Sequence, residues 1–211
     1  PGVSLLWAGS SVAASVPISQ NESSSTKRSM CPRTVNWPRA WIASSRARGQ
    51  LTVREHIDRL VDEDSFCEMG TLAASLDPAQ RTDTPGDGKV VGHARIGGRP
   101  IAIAGDDITV RRGSSSVVGS RKVGRAFEQA VAAGEPFVYL GQTGGARIPD
   151  ALGAEGLAMV PPPVSLAARR HQIPVVTAIV GQSFGGSSFI AGLSDFVVQV
   201  EGTCLAVTSP N

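Results

Sequence analysis

The sequence predicts an α/β fold: a mostly parallel sheet flanked by helices. From residue 135 onward, near-continuous apolar runs ("PFVYLGQ", "PVVTAIVG", "DFVVQVEG") alternate with stretches of helical character, the pattern of strands covered on both faces. Two of these runs lead into glycine pairs, in "GQTGGARI" and "GQSFGGSSF". Composition agrees, since 24 glycines in 211 residues with only 5% aromatics suit close backbone packing around one domain-sized core.

Residues 1–45 are serine-rich ("ISQNESSSTKRSM") and lack sustained periodicity. Such a segment buries too little apolar surface to offset its ordering entropy and is expected to be a disordered or poorly ordered tail. Trp37 and Trp41 are its candidate docking residues, on the body or on a partner. The early "VSLLWAGSSVAASVP" has the apolar character of a signal peptide, but no basic segment precedes it, so no targeting role is expected.

The domain is expected over residues 46–211 and begins at "GQLTVREHIDRLVDEDSF". Thr52 and Glu55 have the spacing of a capping box, and Val53, Ile57, Leu60 and Val61 form one apolar face of a short helix. "GKVVGHARIGGRPIAIAGDD" reads as a hairpin turning at Gly97-Gly98. "SSVVGSRKVGRAFEQAVAAG" reads as a helix stopped by Gly134. A strand follows in "PFVYLGQ", then helix over 151–171 interrupted at Pro161–Pro163. "PVVTAIVG" is a strand, 186–193 a short helix, and "DFVVQVEG" and "CLAVTS" are strands.

Several function classes fall away. A net charge of +2 leaves no general nucleic-acid footprint, so an anionic ligand would need a local cluster. Cys31, Cys67 and Cys204 are odd in number and far apart, and His56, His93 and His171 are scattered. That spacing suits neither zinc nor a disulfide framework, and a reduced, cytoplasmic protein without a bound metal is expected. No run reaches transmembrane length, so no membrane role is expected.

"GQSFG" (181–185) matches the nucleophile-elbow pattern, but no histidine follows Ser183, and Asp195 alone cannot serve as base. "GSSSVVGSRK" lacks the P-loop spacing and ending, and the glycine turns do not fit the dinucleotide fingerprint.

An oxyanion site remains. In open α/β sheets ligands sit beyond the carboxyl ends of the strands, where both glycine pairs fall. Glycine admits close backbone approach, and the following helix starts offer unpaired N–H groups with partial positive charge. One amide from each turn could grip an oxygen that becomes negative during reaction. Loss of one such donor typically costs roughly 3–4 kcal/mol in the barrier. Tight helix–strand packing explains one such turn as well; two matched turns favour the ligand.

With these residues in hand the chain resembles a known family. "ARGQLTVREHIDRLVDEDSFCEMG", "GDGKVVGHARIGGRPIAIAGDDITV", "QTGGARI" and "GQSFGGSSF…SDFVV" occur in that order. Together they resemble the N-terminal half of the carboxyltransferase (beta) subunit of biotin-dependent acyl-CoA carboxylases, of the propionyl-CoA and acetyl-CoA type. The resemblance implies a crotonase-like fold, the ββα spiral shared with the caseinolytic protease. It further implies transfer of a carboxyl group from carboxybiotin to the α-carbon of an acyl-CoA through an enolate. Gly144 and Gly145 would supply the donors for the thioester oxygen with Ala146 beside them on the substrate, and Gly185 and Gly186 would line the same pocket. Biotin's ureido nitrogen would take the proton. Where the related protease carries its nucleophilic serine this chain has Gly185, so peptidase activity is not expected.

The same resemblance passes the coenzyme A region through "AGDDITVRRGSSS". Arg111 and Arg112 are candidate phosphate ligands, with the Gly113 and Ser114 amides adding hydrogen bonds; solvated surface charge is the alternative. Arg121, Lys122 and Arg125 form a helix-face trio less suited to coenzyme A, and Arg147 is a candidate brace for the turn. The family commonly has Gly-Gly-Ser where this chain has Arg-Arg-Gly-Ser, and Pro161–Pro163 interrupt a helix near the acyl site, so acyl preference stays open. Family members carry a second crotonase-like half that binds biotin, whereas this chain ends at "TSPN". The resemblance thus implies as expected partners a biotin carboxyl carrier or biotin carboxylase subunit and a C-terminal carboxyltransferase half or separate subunit, in an oligomer. Two alternatives stand beside this one: a biotin-independent crotonase-like acyl-CoA decarboxylase, and a non-catalytic acyl-CoA-binding subunit.

Overall fold

The computed structural model describes residues 3–6, 15–16, 49–148, 150–154, 164–169 and 171–208. Helix α1 (Val53–Leu60) starts as its sequence requires: the Thr52 side chain accepts from the Glu55 N–H, and the Glu55 carboxylate accepts from the Thr52 N–H at 2.7 Å. Strands β4 (Lys89–Ile96) and β5 (Arg99–Asp106) pair antiparallel across Gly97 and Gly98, both with positive φ. Helix α2 (Val117–Ala133) stops where Gly134 turns left-handed at φ 68°. Strand β6 (Phe137–Thr143), helix α3 (Val164–Ala168), strand β7 (Val175–Phe184), helix α4 (Gly186–Leu193) and strands β8 (Phe196–Val200) and β9 (Cys204–Ala206) follow.

One sheet holds these strands. Its order is β2-β1-β8-β7-β6-β5-β4-β3, with β1 being Val3–Leu6, β2 Ser15–Val16 and β3 Cys67–Met69, and with β9 also pairing β7. Strands β5 to β8 run parallel; β3, β4 and β5 are antiparallel neighbours. Alternation along the central strands sends side chains to two cores. Ala102, Ala104, Phe137 and Tyr139 pack with Phe127, Ala130 and Ile190 on one face. Ile101, Ile103, Val138 and Leu140 pack with Val53, Ile57 and Phe66 on the other. Both faces are thus covered, as the apolar runs predict.

The structure departs from the sequence reading at three points. Leu60, expected on the buried face of α1, is exposed, because this two-turn helix meets β4 only through Val53 and Ile57. Strand β7 runs on through Gln182 and Ser183 to Phe184, since β9 pairs with those residues and extends the ladder. Within the expected tail, Val3–Leu6 pairs antiparallel with Val197–Val200 and covers the open edge of β8. Trp37, Trp41 and Pro161–Pro163 lie outside the described residues. Among those described, no helix is long and apolar enough to cross a membrane.

Candidate oxyanion site at the ends of β6 and β7

The first turn leaves β6 at Thr143. The Gly144 N–H donates to the Arg112 carbonyl at 2.9 Å and the Gly145 N–H to Thr143 Oγ1 at 3.1 Å. The chain then lies beside Ser115 in a parallel bridge: the Ser115 N–H donates to the Gly145 carbonyl and the Arg147 N–H to the Ser115 carbonyl, both at 2.8 Å. In such a bridge the central residue turns its own polar groups to the other side. That residue is Ala146, which is exposed and whose N–H has no partner among the described residues.

The second turn leaves β7 at Phe184. Gly185 holds φ 65° and ψ −123°, a region closed to side-chain-bearing residues except under strain. Its N–H donates to the Val207 carbonyl at 3.1 Å, and its carbonyl accepts from Ser188 and Phe189 to begin α4. The N–H groups of Gly186 and Ser187 then open the helix without partners among the described residues.

The two turns abut. A Cβ at position 185 would lie 3.5 Å from Gly145 Cα and 3.8 Å from Ala146 N. The side chain that Gly185 lacks therefore leaves room for one carbon beside the Ala146 nitrogen, with the Gly186 amide on the adjoining turn. This corrects the donor assignment. Gly144, Gly145 and Gly185 have their amides committed within the protein; among the described residues the amides of the two turns left free are those of Ala146, Gly186 and Ser187. The sequence marks positions that need glycine, but it does not record which peptide is rotated away from its neighbours.

Beneath the turns lie two buried polar clusters that the sequence reading did not single out. Asp106 Oδ1 accepts from Lys89 Nζ and, at 2.8 Å, from the Tyr139 hydroxyl, while Oδ2 accepts from the Gln142 N–H at 3.0 Å. Lys89 Nζ also donates to the Gly113 carbonyl at 2.8 Å. Burial, followed by the Asp106 charge, holds the Tyr139 hydroxyl well above the usual tyrosine range, so it remains a donor. Ser187, in the first turn of α4, is within reach of Tyr139 and pairs with Ser183 at 2.5 Å. Asp106 thus ties together the end of β6, the loop that carries Arg112, and α4. In the second cluster Asp87 accepts from Arg147, from Ser116 Oγ at 2.5 Å and from the Gly119 N–H at 3.0 Å. Arg147 is buried and braces the turn, as anticipated, and its Nη2 has no partner among the described residues. The signal for both clusters was acids and a lysine set within apolar strand and turn sequence, in "PGDGKVV" and "IAGDD".

The remaining predicted residues divide. Arg111 and Arg112 are exposed, in a short 3-10 turn (Arg111–Gly113), with φ of 46° and 58°. Arg111 faces Asp83 at 3.5 Å. The Gly113 and Ser114 amides donate to Val110 and Arg111 carbonyls at 2.8 and 3.2 Å, which removes them as phosphate donors. The helix-face trio separates too: Arg121 and Arg125 are exposed, while Lys122 turns in and donates to the Gly86 and Lys89 carbonyls at 2.9 and 2.7 Å. Burial pushes its pKa down to about 8.

Ser183 is buried within β7 and does not occupy the elbow; Gly185 does. His171 does pair with Asp195 at 2.8 Å, but Asp195 also accepts from the Val175 N–H at the far end of β7. Eight strand residues, roughly 25 Å, separate that pair from Ser183, so no triad forms. Among the described residues no group of three or more His, Cys, Asp or Glu could hold a metal ion.

Comparison with known proteins shows the family. Residues 44–211 match the carboxyl transferase domain. The chain is 33% identical over 175 residues to the methylmalonyl-CoA carboxyltransferase 12S subunit of Propionibacterium freudenreichii, covering 80% of this chain and 33% of that protein. It is 32% identical over 205 residues to the mitochondrial propionyl-CoA carboxylase beta chain of Sus scrofa, covering 92% and 37%. Among solved structures, the hexameric transcarboxylase 12S core with methylmalonyl-CoA bound superposes with a TM-score of 0.71 at 30% identity, over 81% of this chain and 34% of that one. The Pseudomonas malonate decarboxylase MdcD–MdcE heterodimer gives a TM-score of 0.60 at 28% identity, over 76% and 66%. The chain spans about a third of the length of the curated relatives it matches. Its fold is the crotonase-like α/β arrangement, and the chain belongs to the carboxyl transferase domain family.

Proposed function

We propose that this chain is the N-terminal half of an acyl-CoA carboxyltransferase, with the thioester carbonyl lodged between the Ala146 and Gly186 amides. The observation that carries this reading is the meeting of two turns whose free N–H groups border a space kept open by Gly185. As the α-proton leaves the acyl group, negative charge moves onto the thioester oxygen. Donors already held in place stabilise that charge without reorganising, and each contributes roughly 3–4 kcal/mol to lowering the barrier. Carboxybiotin, brought on a biotin carboxyl carrier or biotin carboxylase subunit, supplies the carboxyl group. The enolate carbon would form its bond to the carboxyl carbon as the carboxyl–nitrogen bond breaks, and the freed ureido nitrogen would take the α-proton.

The biotin half-site is assigned to a C-terminal half, in the same chain or on a separate subunit. Ile148, Leu152, Phe189 and Val207 are large apolar residues left exposed on the segments that follow the two turns and β9, which suits cover by that half within an oligomer. A cytoplasmic location goes with this reading.

The test combines the chain with its C-terminal half and measures carboxyl transfer to propionyl-CoA from a carboxylated biotin carrier. Gly185→Val, which fills the space before the Ala146 amide, should lower kcat by about a hundredfold or more. A variant with the parent's rate would overturn the site. Release of carbon dioxide from malonyl-CoA with no biotin carrier present would instead support the decarboxylase class.

A further inference from the structure

The geometry points to Arg112 as the residue that reads a carboxylate on the acyl group; the inference rests on the acyl-CoA site above. Lys89 is neutralised by Asp106 and Arg147 by Asp87, and Arg111 faces Asp83. Arg112 is the cation beside the first turn that has no acid within ion-pair distance among the described residues, and it is exposed.

Its position is tightly set. The Arg112 carbonyl accepts the Gly144 N–H at 2.9 Å, and the next residue is pinned by Lys89 Nζ and by the Gly113 N–H bond to Val110. The side chain lies over Gly144, where a Cβ would meet Arg112 Cβ at 3.3 Å and Nε at 3.4 Å. The left-handed backbone at Arg112, φ 58° and ψ 30°, is one that L-residues adopt at a cost. A charge held there, in unfavourable backbone geometry, needs a reason beyond solubility.

Gly144 is two residues before Ala146, a Cα separation of at most roughly 8 Å, and the Arg112 side chain lies against Gly144, so it starts on the same turn as the amide proposed to hold the thioester oxygen. The phosphates of coenzyme A are separated from that oxygen by the whole pantetheine arm. A carboxylate on the α-carbon is one carbon removed from the thioester carbonyl. The position of Arg112 therefore suits the carboxylated acyl group better than the coenzyme A phosphates, and a guanidinium matches a carboxylate with two parallel hydrogen bonds.

Equilibrium binding of methylmalonyl-CoA, propionyl-CoA and free coenzyme A to the whole chain tests this. The parent should favour methylmalonyl-CoA over propionyl-CoA by about tenfold or more. Arg112→Gln should remove that preference while leaving coenzyme A affinity unchanged. Arg112→Gly, whose backbone suits the left-handed turn, should do the same with an unchanged or higher Tm, which separates loss of the contact from loss of the fold. Equal weakening of all three ligands would make Arg112 a phosphate ligand and overturn the assignment, as would a preference that survives both substitutions. A parent that binds none of the three refutes the acyl-CoA site itself, and this assignment with it; a parent that binds the two acyl-CoAs equally refutes only the role of Arg112.

Discussion

Tyr139 shows how a single buried hydroxyl can link the ends of distant elements. It donates to Asp106, which holds the Gln142 amide at the end of β6, and it reaches Ser187 in the first turn of α4. Tyr139→Phe removes that link and opens almost no cavity. Expected results are a loss of roughly 1–2 kcal/mol in stability and a fall in kcat with KM little changed, read by chemical denaturation and steady-state kinetics. Lys122 carries the pH dependence at this scale. Burial lowers its pKa to about 8 from an ordinary 10.5, so between those values the unfolded chain holds the proton more tightly. The penalty is present in full below about pH 8 and is relieved as pH rises toward 10.5. A neutral amine still has two hydrogens for the Gly86 and Lys89 carbonyls. Relative to Lys122→Met, the parent should therefore gain on the order of 3 kcal/mol between about pH 7 and pH 10.5, measured by denaturant midpoints.

Individual elements follow local chemistry closely. The Thr52–Glu55 capping box, the Gly97-Gly98 hairpin and the Gly134 stop all form as their residues direct, because each depends on groups only a few positions apart. Thr52→Ala should cost about 1 kcal/mol, seen as a lower Tm with no change in ligand binding, since α1 packs on the sheet face through Val53 and Ile57. Element length is less local. Strand β7 reaches Phe184 only because β9, some twenty residues further along, pairs with its end. A ladder partner that distant leaves no mark in the periodicity of "VVTAIVGQSF".

At the scale of the molecule, the parallel sheet brings the ends of β6 and β7 side by side and so makes one site from two turns. The same layout puts the His171–Asp195 pair at the opposite end of β7 from Ser183, so these three residues do not form a triad despite a matching motif. Large apolar residues stand exposed after each turn, Ile148 and Leu152 beyond the first and Phe189 beyond the second. Predicted loss of transfer in Gly185→Val belongs at this scale, because it is read only in the assembled enzyme.

Taken alone, the residue order determined the α/β class, the covered sheet, the cap of α1 and the glycine turns that leave β6 and β7. Those depend on periodicity, on short-range hydrogen bonds and on the freedom of glycine, all of them properties of neighbours in the chain. Tertiary structure alone decided that Ala146 and Gly186, and not Gly144 or Gly185, keep free amides, that Lys122 turns inward, and that Asp106 and Asp87 hold the turns. Hydrogen-bond partners in these cases come from strands and loops far away in sequence, and which peptide is left unpaired is known only once every other partner has been satisfied.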